Sequence, residues 1–172
     1  MLSLVLRPLR FFVRALIDQD TPRQLALGFA LGMLAGLVPK GNLLAVVLMM
    51  LICGSKVNLG TATLAAFLFS WVGVLTDPIS HEIGQWLLTQ DSLAGLWTWL
   101  YNLPIVPWTK FNNTVVLGSL VLGLVLLYPV YRLTKPQFAY WQPKLAERFK
   151  KFKLAQFLLG AEYAGKLVGD PT

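Results

Sequence analysis

Residues 21–58 read TPRQLALGFALGMLAGLVPKGNLLAVVLMMLICGSKVN, and the way this stretch folds decides the rest. Thr21 and Gln24 have the spacing of a helix capping box, and Pro22 suits the first helical position, where a missing N–H goes unnoticed. From there to Val38 the run carries no charge beyond Arg23. A helix of that length covers about 25 Å, slightly less than the roughly 30 Å hydrocarbon core of a bilayer. Gly28, Gly32 and Gly36 recur at every fourth residue, which stacks them on one helix-packing face and lets another backbone come close. Pro39 ends the helix, Gly41 permits a sharp turn, and Asn42 can cap a new helix. The following run, Leu43 to Ile52, is too short to cross a bilayer comfortably. The stretch 21–53 therefore reads as a helical hairpin whose tip is Pro39, Lys40, Gly41 and Asn42. It is either re-entrant or a pair of short tilted crossings. Non-helical backbone at membrane depth survives only where protein or water covers it.

Composition agrees with a lipid setting. Of 172 residues, 56% are hydrophobic and only 13% charged, against roughly a quarter charged in soluble domains. The net charge of +7 sits at the ends of the chain. Four bases and two acids precede Leu25, three of each lie between Leu25 and Tyr131, and eight bases with three acids follow. Basic ends around a neutral apolar middle are what the positive-inside rule gives when both termini are cytoplasmic, here at a bacterial inner membrane. The same charge does not point to nucleic acid, because no basic face with interleaved aromatics belongs to a soluble module. Cys53 is the only cysteine, which excludes an intramolecular disulfide and a thiol metal cluster. It reads as a small apolar residue near a helix end.

Working outward, residues 1–20 form an interfacial helix. Arg7, Arg10 and Arg14 share one face while Leu6, Leu9, Phe12, Val13 and Leu16 fill much of the rest, so the guanidiniums face anionic headgroups. Those arginines are spread through the segment rather than gathered before an apolar core, unlike a secretory signal. Past the hairpin, Asn58 caps a transmembrane span over 58–76, whose small residues Gly60, Thr63 and Ala66 are expected to meet the glycine face. That span should end at Asp77-Pro78. Residues 78–112 then form an outer-face amphipathic segment, with Asp91 as a cap between two short helices and Trp97, Trp99, Tyr101 and Trp108 as interface aromatics. A second span covers 113–134, leaving the membrane at Arg132 and Lys135. Pro136 and Pro143 punctuate a link to a basic amphipathic cytoplasmic helix over 143–160, carrying the membrane-surface bases Lys144, Arg148, Lys150, Lys151 and Lys153. The fold class is all-α: a polytopic membrane protein with an even number of crossings.

Chemistry is sparse. Asp77, His81 and Glu82 form the one polar cluster, and Asp77 and His81 at i, i+4 spacing can share a proton. One histidine with two acids is a thin metal site, so the expectation is no metal and no cofactor. Asp77 more simply caps a helix and His81 sits at the lipid–water boundary. Lys40 is costly if buried in a bilayer, by roughly 2.5 to 3.5 kcal/mol. Its options are to snorkel, to meet a phosphate, to pair with Asp77 at the outer surface, or to stand in water as a turn lysine. No phosphate loop, nucleophile elbow or H-E-x-x-H is present, and no catalytic residue is named.

The segment TPRQLALGFALGMLAGLVPKGN, with Lys56-Val57-Asn58 and Asp77-Pro78, resembles the bacterial membrane proteins of the DUF2062 family, and is most similar to a small conserved-hypothetical branch. The likeness covers about residues 21–90 closely and the remainder by layout. In the wider family the second landmark is usually Asn-Pro, whereas here it is Asp77-Pro78, so no role transfers to Asp77. The resemblance brings no catalytic residues, and it implies a partnership with a larger envelope membrane protein. The function expected is therefore a non-enzymatic inner-membrane subunit of a larger envelope complex that handles lipid. The alternative is a small transporter or lipid-translocating channel built as a homo-oligomer of hairpins.

Overall fold

The computed structural model describes residues 21–151, with side chains described through residue 144. The described residues are helix, turn and bend throughout, with no strand. Five α-helices follow in order: α1 (Pro22–Leu37), α2 (Leu43–Gly54), α3 (Leu59–Leu88), α4 (Ala94–Asn102) and α5 (Thr114–Lys151). Short 3₁₀ turns at Asp91–Leu93 and Val106–Thr109 flank α4. Two helices, α3 and α5, are long and apolar enough to cross a membrane. The interfacial segment expected over residues 1–20, with Arg7, Arg10 and Arg14, lies outside the described residues, as does Lys153.

Three caps set the start of the first three helices. Thr21 and Gln24 close a reciprocal capping box, with Gln24 N–H donating to Thr21 Oγ1 and Thr21 N–H donating to Gln24 Oε1. Asn42 accepts from Ala45 N–H at 2.8 Å and Asn58 accepts from Thr61 N–H at 2.8 Å. The Asn58 N–H also donates to the Gln24 carbonyl at 3.3 Å, which ties the start of α3 to the start of α1. With their starts pinned together, the two helices run parallel and α2 is the descending arm between them.

The core is α1 itself. Leu25, Ala26, Ala30 and Met33 are fully buried, because α3 and α5 cover α1 on different sides. A Cβ built on Gly28 would lie 2.6 Å from Thr61 Oγ1, one on Gly32 would overlap the Ala62 carbonyl, and one on Gly36 would lie 2.7 Å from Phe69 Cβ. Removing Cβ atoms along this face lets two backbones touch, which is how apolar helices associate where lipid supplies no hydrophobic drive. The residues opposite are Thr61, Ala62 and Ala66; of the expected set, Ala66 takes part, whereas Thr63 is exposed. The register follows from the Asn58–Gln24 bond, which the composition of α3 does not reveal.

A second close crossing joins α3 to α5, which run antiparallel. Gly84 lies against the Thr114 backbone and Gly118 against the Ser80 carbonyl, neither with room for a Cβ. Gly123 instead receives the side chain of Leu34 from α1.

Proline does not break these helices where expected. The α3 helix passes through Pro78 to Leu88, so residues 79–88 continue the same helix rather than starting a new one. Asp91 does not cap a helix there; it begins a 3₁₀ turn that has no side-chain cap. The α5 helix likewise runs unbroken through Pro129, Pro136 and Pro143, so no link separates the second span from the basic segment that follows. Each proline forfeits one intrahelical hydrogen bond, at about 3 kcal/mol in water. A break would unpair several backbone groups instead of one, which is worse away from water. The three prolines of α5 are seven residues apart and all exposed, so they share an outer face where their rings clash with nothing but their own helix.

Candidate functional site

The site builds up from the hairpin tip. After α1 ends, Val38 and Pro39 turn the chain and Gly41 takes φ +85°, a left-handed conformation that costs a residue with a Cβ and is free to glycine. That turn swings the Lys40 side chain back onto α1. Its ammonium donates to the carbonyls of Gly36 at 3.1 Å and Val38 at 2.9 Å, and also to Ala35. The last carbonyls of a helix lack intrahelical partners and carry its negative end, so one cation satisfies several of them. Lys40 is exposed, yet its ammonium turns back onto these carbonyls rather than to Asp77. Asn42, buried at 7% exposure, completes the tip by donating from Nδ2 to the Pro39 carbonyl at 2.7 Å.

The tip lies level with Gly73 of α3, where an added Cβ would sit 3.2 Å from the Leu37 carbonyl. That is fifteen residues before α3 ends, about 22 Å along its axis. The connection between α4 and α5 folds over the tip. Pro107, Trp108 and Lys110 face Lys40, Gly41 and Asn42 across a groove of about 850 Å³. Trp97 anchors this connection, with its Nε1–H donating to the Leu87 carbonyl at 3.1 Å and its ring 6.1 Å from that of buried Phe111. The covering that a broken helix needs in a membrane comes from the segment after α4. Composition gave no sign of it, because neither Trp108 nor Lys110 belongs to a pattern that names its neighbour.

A second groove, about 460 Å³, continues between α2 and α3. It shares Lys40 and Met49 with the first and runs on past Ile52, Cys53, Ala62 and Phe67. Residues 42, 45, 46, 49, 52 and 53 follow helical spacing and lie on one face of α2. The two grooves are therefore successive parts of one trough under the inner face of that helix. Its walls are apolar apart from the lysines, Asn42, Thr63 and Ser70 at intervals along it. Lys110 stands at φ 56°, an uncommon backbone for a residue with a Cβ, held by its N–H to the Pro107 carbonyl and by its own carbonyl accepting from Asn113 N–H.

The polar cluster is arranged differently from a proton-sharing pair. His81 Nδ1 meets Thr114 Oγ1 of α5 at 2.6 Å, with the direction of the proton set by the imidazole tautomer. His81 and Glu82 are exposed and Asp77 half-buried. Among the described residues, no three or more His, Cys, Asp or Glu side chains are grouped to hold a metal ion. Of the basic residues beyond the second span, Lys144 places its ammonium 3.5 Å from the Tyr140 ring centroid. Arg148, Lys150 and Lys151 belong to α5, and their side chains lie outside the described residues.

Comparison with known proteins gives two matches. The sequence profile of the family described as "Uncharacterized protein conserved in bacteria (DUF2062)" matches residues 6–146. An uncharacterized protein of Treponema pallidum (strain Nichols) is 30% identical over 131 residues, covering 76% of this chain and 81% of that protein. No solved structure matches.

Proposed function

This chain belongs to the DUF2062 family of bacterial proteins, and from that premise we propose that it is a non-enzymatic subunit of the bacterial inner membrane. In this reading it anchors or organises a larger cell-envelope complex that handles lipid, with both termini cytoplasmic. The observation that carries the reading is the length of α5. It continues for 38 residues without a break, about 57 Å, nearly twice the hydrocarbon thickness of about 30 Å. Its start is fixed against α3 at Thr114 and its first third against α1 at Gly123, and the Phe138 ring still meets that of Phe29 at 6.0 Å, so the residues after Phe138 extend the helix as a stiff basic arm. A membrane anchor needs such an arm to reach a partner.

The test is affinity purification in mild detergent of the full chain and of a chain ended after Ala139, which keeps the Phe29–Phe138 contact. A stoichiometric larger protein retained by the first and lost from the second is the expected result. A full chain that purifies without any partner would overturn the reading.

A second reading rests on the trough beneath α2. Discontinuous helices at membrane depth form the substrate sites of transporters, and a small transporter or lipid-translocating channel made of several copies would use the trough as its path. A purified homo-oligomer that moves lipid or solute in liposomes supports it.

A further inference from the structure

We propose that the trough under α2 is a binding site for an anionic phospholipid, with the headgroup phosphate at Lys110 and an acyl chain lying along Met49 toward Ile52. The inference rests on the chain's being in lipid and not on the partner proposed above. A chain that binds such a lipid yet captures no partner loses the anchoring reading and keeps this one.

Two observations converge. The first is shape. The two parts of the trough are about 850 and 460 Å³, of the size that holds a small amphiphile, and they join end to end at Lys40 and Met49. From Leu43 to Cys53 the α2 wall is eleven residues long, about 16 Å, which suits a chain laid lengthwise rather than a compact solute. The second is charge. Lys110 lines only the tip part and Lys40 stands at the junction, while beyond it the lining toward Ile52, Cys53 and Leu59 carries no charge. A ligand with one anionic end and one apolar end fits this polarity in a single orientation.

The two lysines divide the work. Lys40 commits its ammonium to the carbonyls at the end of α1, so it contributes field rather than contact. Lys110 is carried on the exposed rim by its left-handed backbone, and it is the cation placed to donate to a phosphate. Exposed Trp108, at 74%, adds an amphipathic ring on the same rim, the usual company of a headgroup.

The experiment titrates the purified full chain in detergent with phosphatidylglycerol or phosphatidylcholine, read by native mass spectrometry. The wild type should bind phosphatidylglycerol about tenfold tighter, the difference made by one charge-assisted contact. Lys110→Gln should abolish that preference, Lys110→Arg should restore it, and Arg132→Gln, altering an exposed cation of α5 that lines neither part of the trough, should leave it intact. Met49→Trp, which fills the junction, should weaken long-chain phosphatidylglycerol while the thermal midpoint holds. Equal binding of the two lipids by the wild type overturns the proposal. So does equal loss in Lys110→Gln and Arg132→Gln, or competition by chain-free glycerol phosphate as strong as by the lipid.

Discussion

The ammonium of Lys40 donates to the Gly36 carbonyl at 3.1 Å, so the cation of the hairpin tip closes the helix that leads into it. Three peptide carbonyls depend on this one group, in a place where water is scarce and each unpaired carbonyl is costly. Lys40→Met removes the donor and leaves the acceptors. Hydrogen bonds to charged groups contribute about 1.5 to 3 kcal/mol, and partial exposure of the side chain reduces that here. Unfolding in detergent should show Lys40→Met about 1 to 2 kcal/mol less stable than the wild type, with Lys40→Arg closer to it. A methionine variant as stable as the wild type would mean that the carbonyls find other donors.

Glycines separate into those that a neighbour forbids to grow and those that stand free. Gly32→Ala puts a methyl into the Ala62 carbonyl, and both belong to backbones pinned at Asn58 and Gln24. Overpacking of this kind costs typically about 1 to 3 kcal/mol. Gly95, also helical, meets nothing within 4 Å, and alanine there should gain about 0.5 to 1 kcal/mol from helix propensity. Opposite signs for two identical substitutions in thermal unfolding are the expected outcome. Equal effects would show that the α1–α3 contact is looser than its geometry.

What the sequence makes legible is local. The capping pair Thr21 and Gln24, the caps Asn42 and Asn58, and the small-residue face of α1 each consist of residues within one turn of one another, and each takes the form its spacing implies. The partner of that face is not local. Thr61 and Ala62 meet the glycines while Thr63 is exposed, because the Asn58–Gln24 bond sets the rotation of α3. Proline misleads for a physical reason: the breaking rule is weighted for helices whose freed backbone can turn to water, and Pro78 and Pro129 lie in apolar stretches that lack that escape, while Pro136 and Pro143 extend a helix already nucleated by the span before them. The site is half legible. Lys40 stands out as a charge in an apolar run, yet Lys110, seventy residues later, gives no sign that it will face the same groove.

His81 and Thr114 bind α3 to α5 beside the glycine crossing. If the contact is a structural clasp, a double-mutant cycle with His81→Ala and Thr114→Val should return a coupling of about 0.5 to 1.5 kcal/mol. The two variants should leave phosphatidylglycerol binding at the remote trough unchanged. A coupling near zero would leave the imidazole free for another role, and loss of a measurable lipid turnover in His81→Ala would then point to an enzyme.

The depth of the tip distinguishes a re-entrant hairpin from a full pair of crossings. The tip is level with Gly73, not with the end of α3, and Pro107 and Trp108 lie over it. In the orientation proposed above, Trp108 faces the outer side and Leu43 is below it. With Cys53→Ser removing the only native thiol, Trp108→Cys and Leu43→Cys place a single probe above and below the cover. An impermeant maleimide added to intact cells should label Trp108→Cys readily and Leu43→Cys far more slowly, with both reacting alike after unfolding in detergent. Equal rates in intact cells would place the turn in outside water and give the chain four crossings, whereas the re-entrant geometry gives two.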